Sequence, residues 1–258
     1  MKQQGFSLVE LSIVLVILGL LIGGILTGQS LIRAAESRSV TKEYESWVTA
    51  TNVFRQKYLA FPGDMNNATA FWGKDNTYCA AHTGTAATNG TCNGNGDGII
   101  TDCASGNVTC EAFQYWKQLS LAGLIEGNYT GISGVNRNDD TDAGINAPAS
   151  KVGSGTWMLQ NIAFSSSSSF RSKTDYGNGL IYGAQAIYWP ADGIFTPAEA
   201  WSIDLKMDDG HASKGKVWGV RYRECTLAND TTGTETDYLD YDLTVTSKQC
   251  GLAFLKVF

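Results

Sequence analysis

The chain has 258 residues, enough to bury a core of its own, and its 19 Lys and Arg residues against 25 Asp and Glu residues give a net charge of −6. This weak acidity provides no basic footprint, so no nucleic-acid partner is predicted from composition. The 29 glycines and a charged fraction of only 17% favour a secreted, turn-rich β domain over a cytosolic enzyme.

The N-terminus places a long apolar segment after a short polar one. Residues 1–5 carry one positive charge, at Lys2, and residues 6–26 are almost wholly apolar. A helix of that length, rising about 1.5 Å per residue, spans roughly the hydrocarbon core of a bilayer. The positive charge before it favours a cytoplasmic N-terminus. Because no A-x-A cleavage site follows Leu26, we interpret the segment as a membrane helix and not as a Sec signal peptide.

Glu10 is an acidic residue near the start of this apolar segment. An unpaired carboxylate in lipid costs a few kcal/mol, roughly 3 or more at the centre of a helix. Two interpretations are open. Either Glu10 lies near the membrane interface and reaches water, or it is held for a partner cation that another subunit supplies on assembly.

The hexapeptide GFSLVE, from Gly5 to Glu10, resembles the prepilin cleavage and methylation motif of type IV pilins and type II secretion pseudopilins. The resemblance implies that a prepilin peptidase cuts between Gly5 and Phe6 and methylates the new amine of Phe6. It also implies that Glu10 neutralises the Phe6 amine of a neighbouring subunit, since a buried carboxylate needs a paired cation.

The same resemblance implies partners and a location. The partners are copies of the chain itself, other pilins, the prepilin peptidase and an inner-membrane assembly platform. The precursor is expected in the inner membrane, and the mature subunit in the periplasm or at the cell surface in an extracellular filament.

Beyond Gly28 the pattern becomes amphipathic. Apolar residues recur at steps of three and four, which is typical of one buried helical face. These residues are Val40, Tyr44, Trp47, Val48, Thr51, Phe54 and Tyr58. The helix should end near Leu59, because Pro62 disfavours helical backbone at Phe61. The chain is thus divided into a leader at 1–5, a transmembrane and polymerisation helix at 6–26, an amphipathic half of the same helix at 27–60, and a globular head at 61–258.

The head is predicted to be α+β, with the long N-terminal helix packed on an antiparallel β-sheet in a pilin-like arrangement. A helix is expected at about 111–126, and a second helix after the capping box formed by Thr196 and Glu199. Strands are expected at 155–164, 180–189, 218–222, 239–245 and 252–258, where apolar or alternating residues occur.

The six cysteines are predicted to form disulfides, because none is in a CxxC pattern and the chain has only two histidines for a zinc site. Six cysteines allow about 15 connectivities. Cys225 is expected to pair with Cys250 across the C-terminal strands. The other four, expected to pair locally, are Cys79, Cys92, Cys103 and Cys110.

A glycine-rich loop resembles the first half of an EF-hand or dockerin calcium loop. Its candidate ligands are Asn93, Asn95, Asp97 and the position of Ile99, with Asp102 or Glu111 completing the set. The pattern departs from the family at its first position, which is Asn93 instead of Asp, and at its twelfth, where Ala104 replaces a bidentate Glu. The alternative is a cysteine-bounded loop that binds no ion.

A second group of carboxylates, at Asp204, Asp208 and Asp209, admits a metal site or a turn at Asp208–Gly210 that ends the preceding helix. His82 and His211 lie in polar segments without a GxSxG, HExxH or Walker motif nearby. No catalytic residue and no certain cofactor is therefore predicted, and the chain is not expected to be an enzyme.

These observations predict a structural subunit of a type IV pilus-like filament, assembled through the N-terminal helix. Two alternatives remain open from the sequence. One is a pseudopilin of a type II secretion system, which uses the same N-terminus. The other is a membrane-tethered protein whose head binds carbohydrate or another surface.

Overall fold

A computed structural model describes residues 7–75, 79, 90–101, 111–134, 141–162, 176–185, 189–190, 192–220, 224–227, 240–255 and 257–258. Its helices are α1 (Leu8–Tyr58), α2 (Ala68–Trp72), α3 (Glu111–Leu121) and α4 (Pro197–Met207). Its strands are β1 (Gly155–Asn161), β2 (Asn178–Ala184), β3 (Val217–Val220) and β4 (Gly251–Phe254).

The long helix α1 is continuous and has defined ends. At its start the Ser7 hydroxyl accepts a hydrogen bond from the Val9 amide, and Glu10 Oε2 accepts one from the Ser7 amide at 2.9 Å. This reciprocal pair is a capping box, which satisfies amides that have no partner within the helix. At the other end Leu59 adopts left-handed backbone and donates its amide to the Arg55 carbonyl. The predicted end near Leu59 is confirmed.

Only the second half of α1 packs on the head. Its buried residues are Ser37, Val40, Ala50, Thr51 and Phe54. Tyr44 stacks on Phe254 of β4 with ring centroids 4.5 Å apart. Because these residues follow the three- and four-residue spacing of one helical face, the amphipathic pattern is what positions the helix on the sheet.

The strands form one antiparallel sheet in the order β1-β2-β4-β3. The last strand in the chain, β4, lies between β2 and β3, where Ala253 pairs with Ile181 on one side and with Trp218 on the other. One face of the sheet contributes Trp157, Tyr182 and Phe254 to the main core under α1. The predicted α+β fold with a long helix on an antiparallel sheet is confirmed.

Glu43 ties α1 to the sheet by polar contacts. Its carboxylate accepts hydrogen bonds from Trp157 Nε1 of β1 and from the Lys151 amide, each at 2.9 Å. Trp157 is fully buried in the core, and Glu43 provides the acceptor for its indole N–H. The helix and the sheet are therefore held in one register by a charged hydrogen bond.

Helix α3 is shorter than predicted. It ends at Leu121 instead of 126 because Gly123, with φ of 71°, adopts the left-handed conformation of a helix terminus. The stop signal is thus Gly123. Helix α2 was not predicted, and the strands β1 and β2 end earlier than the predicted 164 and 189.

The strand predicted at 239–245 is wrong within the described residues 240–245, where only an isolated bridge between Tyr241 and Thr226 forms. Asp242 accepts hydrogen bonds from both the amide and the hydroxyl of Thr244. This side chain–backbone turn competes with strand pairing and ends the extended segment. Within the described residues the segment therefore forms a turn, with Tyr241 buried and Leu243 exposed, and not a strand.

Candidate functional site

The N-terminal site is described from Ser7 onward, so Gly5 and Phe6 lie outside the described residues. Glu10 lies in the first turn of α1, and its carboxylate bonds the Ser7 amide of the same chain. Glu10 therefore caps the helix, a role that neither interpretation from the sequence included. The S-x-x-E spacing of Ser7 and Glu10 is the signal from which this role could have been predicted.

An exposed apolar surface follows Glu10 along the first half of α1. Its large apolar residues from Leu8 to Ile32 are exposed, and α1 is long and apolar enough to cross a membrane. A Cβ added at any of its four glycines would meet no atom within 4 Å. These glycines are Gly19, Gly23, Gly24 and Gly28. The head therefore leaves this half of the helix free for lipid or for other helices.

Two disulfides lie in the described part of the chain. Cys225 is bonded to Cys250, the pair expected from the sequence, and both residues are fully buried. Cys79 is bonded to Cys92, a local pair. The remaining two cysteines, Cys103 and Cys110, lie outside the described residues.

The predicted calcium ligands are engaged in hydrogen bonds within the loop. Asn93 Oδ1 accepts from the Thr69 amide at 2.8 Å, which directs it toward α2. Asn95 and Asp97 bond each other, and Asp97 Oδ1 also accepts from the Ile99 amide. The side chains thus stabilise turns, as Asx residues do in loops without an ion.

Two further carboxylates hold the same loop: Glu111, which belongs to the predicted set, and Asp64, which does not. Asp64 accepts hydrogen bonds from the amides of Gly96 and Gly98, and Glu111 accepts from the amides of Asn95 and Thr101. Among the described residues, Asp64, Asp97 and Glu111 do not form a group with oxygens within 4.8 Å of one another. Asp102 lies outside the described residues. Calcium binding stays a prediction, which a calorimetric titration of the protein with calcium chloride would test.

The three carboxylates that do converge are Asp204, Asp208 and Asp209, whose oxygens lie within 4.8 Å of one another. Asp204 is fully buried and accepts hydrogen bonds from Tyr241 Oη at 3.0 Å and from the Gly210 amide at 3.2 Å. Burial is the main cause that raises its pKa to about 7, and the nearby carboxylates act in the same direction.

The other two carboxylates form turns. Asp208 accepts from the amides of Lys216 and Val217, and Asp209 accepts from the His211 amide. Helix α4 ends at Met207, so the expected turn at Asp208–Gly210 is present. His211 Nδ1 lies 2.8 Å from Asp240 Oδ1 on the surface, and His82 lies outside the described residues. These hydrogen bonds are therefore explained by the turns after α4 and by a contact on the surface.

Comparison with known families identifies the N-terminus. Residues 1–26 match the family model of the prokaryotic N-terminal methylation motif. Comparisons of the chain with curated proteins and with solved structures give no match. The matched residues contain Glu10 and most of the exposed apolar surface of α1. The chain therefore carries the N-terminal signature of type IV pilins and pseudopilins, with an apolar helix that fits a membrane-anchored precursor.

Proposed function

We propose that this protein is a structural, non-enzymatic subunit that polymerises into an extracytoplasmic helical filament of the type IV pilus class. The observation that carries the proposal is the division of α1 into two halves with different surroundings. From Ser37 onward one face of the helix is buried against the head, whereas the large apolar residues from Leu8 to Ile32 are exposed. A surface of this size has to be covered by lipid or by other copies of the helix.

The motif at 1–26 supports processing before assembly. A prepilin peptidase cuts between Gly5 and Phe6 and methylates the new amine of Phe6. Removal of the leader also removes Lys2, so the processed N-terminus starts directly with the apolar helix. The inner-membrane assembly platform then transfers the helix from the bilayer into the filament, where it packs against its neighbours.

Glu10 sets the axial register of the subunits in this proposal. Inside a filament core its carboxylate is far from water, and such a charge is tolerated only when it is paired. The amine of Phe6 from a neighbouring subunit is the cation that processing creates. The hydrogen bond from the Ser7 amide to Glu10 places the carboxylate at the end of the helix, where that amine has to arrive.

The mature N-terminus tests the proposal. Mass spectrometry of the protein from its natural host should give a first residue Phe6 carrying one methyl group. Electron microscopy of sheared cell-surface material should give filaments that contain this chain as a main component. A mature protein that retains residues 1–5, or that starts after Leu26, would contradict the proposal.

The same experiment separates the alternatives. A pseudopilin of a type II secretion system would be processed at Gly5 but would stay with the cell envelope after shearing. A membrane-tethered binding protein would be scarce in sheared filaments at every expression level.

A further inference from the structure

One exposed surface of the head, the distal patch, lies where α1 ends and consists of Arg55, Lys57, Leu59 and Phe71. Leu59 is 91% exposed and Phe71 is 56% exposed. Lys57 Nζ and the Phe71 ring lie 5.0 Å and 5.3 Å from the ring centroid of Tyr58, which joins them into one surface. The patch combines two cations with two large apolar side chains.

Leu59 is also strained. Its φ of 54° is the left-handed conformation that glycine adopts at helix ends without steric cost. A leucine there costs about 1 kcal/mol in backbone energy and places an apolar side chain in water. Strained, exposed apolar residues of this kind point to a contact that the isolated chain does not make.

A second exposed surface, the proximal patch, consists of Trp201, Leu227, Leu243, Asp209 and Asp240. The five residues line a cavity of about 510 Å³. Trp201 is 39% exposed, Leu227 64% and Leu243 52%. The described residues that line the cavity include three aspartates, neither lysine nor arginine, and His211, whose Nδ1 lies 2.8 Å from Asp240 Oδ1. The aspartates outnumber this one histidine, and the Asp240 side chain stays exposed to a second cation. This patch is therefore apolar and acidic, whereas the distal patch is apolar and basic.

The two patches lie at different heights along α1. Helix α4 runs beside α1, with Glu199 Oε1 3.6 Å from Arg33 Nε and Met207 Sδ 3.7 Å from Thr41 Oγ1. The proximal patch begins on α4 and continues past its end, so it lies near the level of Thr41. With a rise of about 1.5 Å per residue, Leu59 lies roughly 27 Å farther along the axis.

We propose that the distal patch of one copy binds the proximal patch of the next copy, with Lys57 facing Asp240 and Leu59 entering the cavity beside Trp201 and Leu243. This interface rests on the proposed filament function and specifies which surfaces of the heads meet in it. Two different patches on one chain make a heterologous contact, which repeats without closing and builds an open helical assembly.

A second copy is the partner that these surfaces favour. The patches have opposite charge, and both expose large apolar side chains. They are also offset along the direction in which the helices of neighbouring subunits would be stacked. Complementary charges at such a contact fix the register and exclude wrong pairings.

Charge exchange tests the interface in the full chain expressed in its natural host. Lys57→Glu and Asp240→Lys are made singly and together, and the mass of sheared filaments is measured. Each single change should lower the yield about tenfold or more, and the double change should restore it to within roughly threefold of the wild type. Lys248→Glu is the matched control, because it changes the charge equally outside both patches and should leave the yield unaltered.

A photochemical cross-link provides a second measurement, made on a variant that still folds. Leu59→p-benzoylphenylalanine places a photoreactive group in the distal patch, and mass spectrometry of irradiated filaments should map the product to a peptide containing Trp201 or Leu243. A cross-link to another surface would overturn the proposed interface.

The subunit function and the interface between the two patches would be contradicted by different results. Absence of wild-type filaments would overturn the subunit function itself. Abundant wild-type filaments with equally abundant filaments from both single variants would overturn this interface and leave the subunit function standing. Equal losses in the single and double variants would likewise contradict the pairing of Lys57 with Asp240.

Discussion

The carboxylate of Asp204 and the phenol of Tyr241 form a buried hydrogen bond of 3.0 Å. It joins the last turns of α4 to the segment that the Cys225–Cys250 disulfide closes. Ionisation of Asp204 is disfavoured first by its burial and then by the nearby carboxylates of Asp208 and Asp209. The bond is therefore sensitive to pH.

The first prediction concerns stability against pH. Folding raises the pKa of Asp204 from its usual 3.8 to about 7, so the folded chain holds this proton more tightly than the unfolded chain. The free energy of unfolding should therefore fall as the pH rises from about 4 to 7, and should stay lower above that range. Urea unfolding of the full chain in detergent, followed by tryptophan fluorescence, measures this dependence.

Asp204→Asn should remove most of the pH dependence, because an amide keeps hydrogen-bonding groups at this position and does not ionise. Asp97→Asn, on the exposed loop, is the matched control and should follow the wild-type profile. If the wild type and Asp204→Asn lose stability in parallel as the pH rises, the explanation is wrong.

The second prediction concerns Glu43, which accepts hydrogen bonds from Trp157 Nε1 and from the Lys151 amide. Glu43→Ala should lower the free energy of unfolding by about 1–3 kcal/mol, because it leaves the buried indole N–H without its acceptor. The matched control is Glu45→Ala on the exposed side of α1, which should change stability by less than about 0.5 kcal/mol. Equal stabilities of the two variants would contradict the role given to Glu43.

The third prediction concerns the disulfide between Cys225 and Cys250, which are 25 residues apart. Replacing both with serine should lower the free energy of unfolding by about 3 kcal/mol, because the unfolded chain gains the conformations that the cross-link excluded. Denaturant unfolding of the oxidised proteins measures the difference. An unchanged midpoint in the double serine variant would show that the cross-link does not stabilise the head.

The fourth prediction separates the two roles of Glu10. Glu10→Gln keeps an oxygen that can accept from the Ser7 amide but loses the negative charge. Ser7→Ala keeps the charge but removes the hydroxyl that caps the Val9 amide, at a cost of about 1 kcal/mol. If charge pairing drives assembly, Glu10→Gln should lower the filament yield about tenfold or more, whereas Ser7→Ala should change it by less than roughly threefold.

Processing has to be measured in the same samples. Mass spectrometry should show that both variants are still cut before Phe6, so that a loss of filaments reflects assembly. Filament yields of Glu10→Gln equal to those of the wild type would assign Glu10 to helix capping alone.

Sequence could predict the elements whose signals are local. Helix α4 was predicted from Thr196 and Glu199, and both capping hydrogen bonds are present. The end of α1 followed from Pro62, and its buried face from the spacing of apolar residues. These features depend on residues within a few positions of one another, and their physical causes act in any surrounding fold.

The features that sequence could not predict depend on distant residues. The placement of β4 between β2 and β3 requires contacts with strands that precede it by tens of residues. The contact of Asp204 with Tyr241, and of Asp64 with the loop at Gly96, are equally non-local. In the calcium-like loop the local pattern fits two outcomes, because alternating Asn and Asp side chains can bind calcium or stabilise turns by bonding neighbouring amides.

The exposed apolar half of α1 limits the environments in which a single copy of the chain can exist. From Leu8 to Leu26 it exposes fourteen large aliphatic side chains, and their contact with water would cost on the order of tens of kcal/mol. A free copy dissolved in water would therefore be rare. In the proposed filament, a subunit should therefore be added directly from the bilayer, so that its apolar helix passes from lipid into contact with other helices without exposure to water.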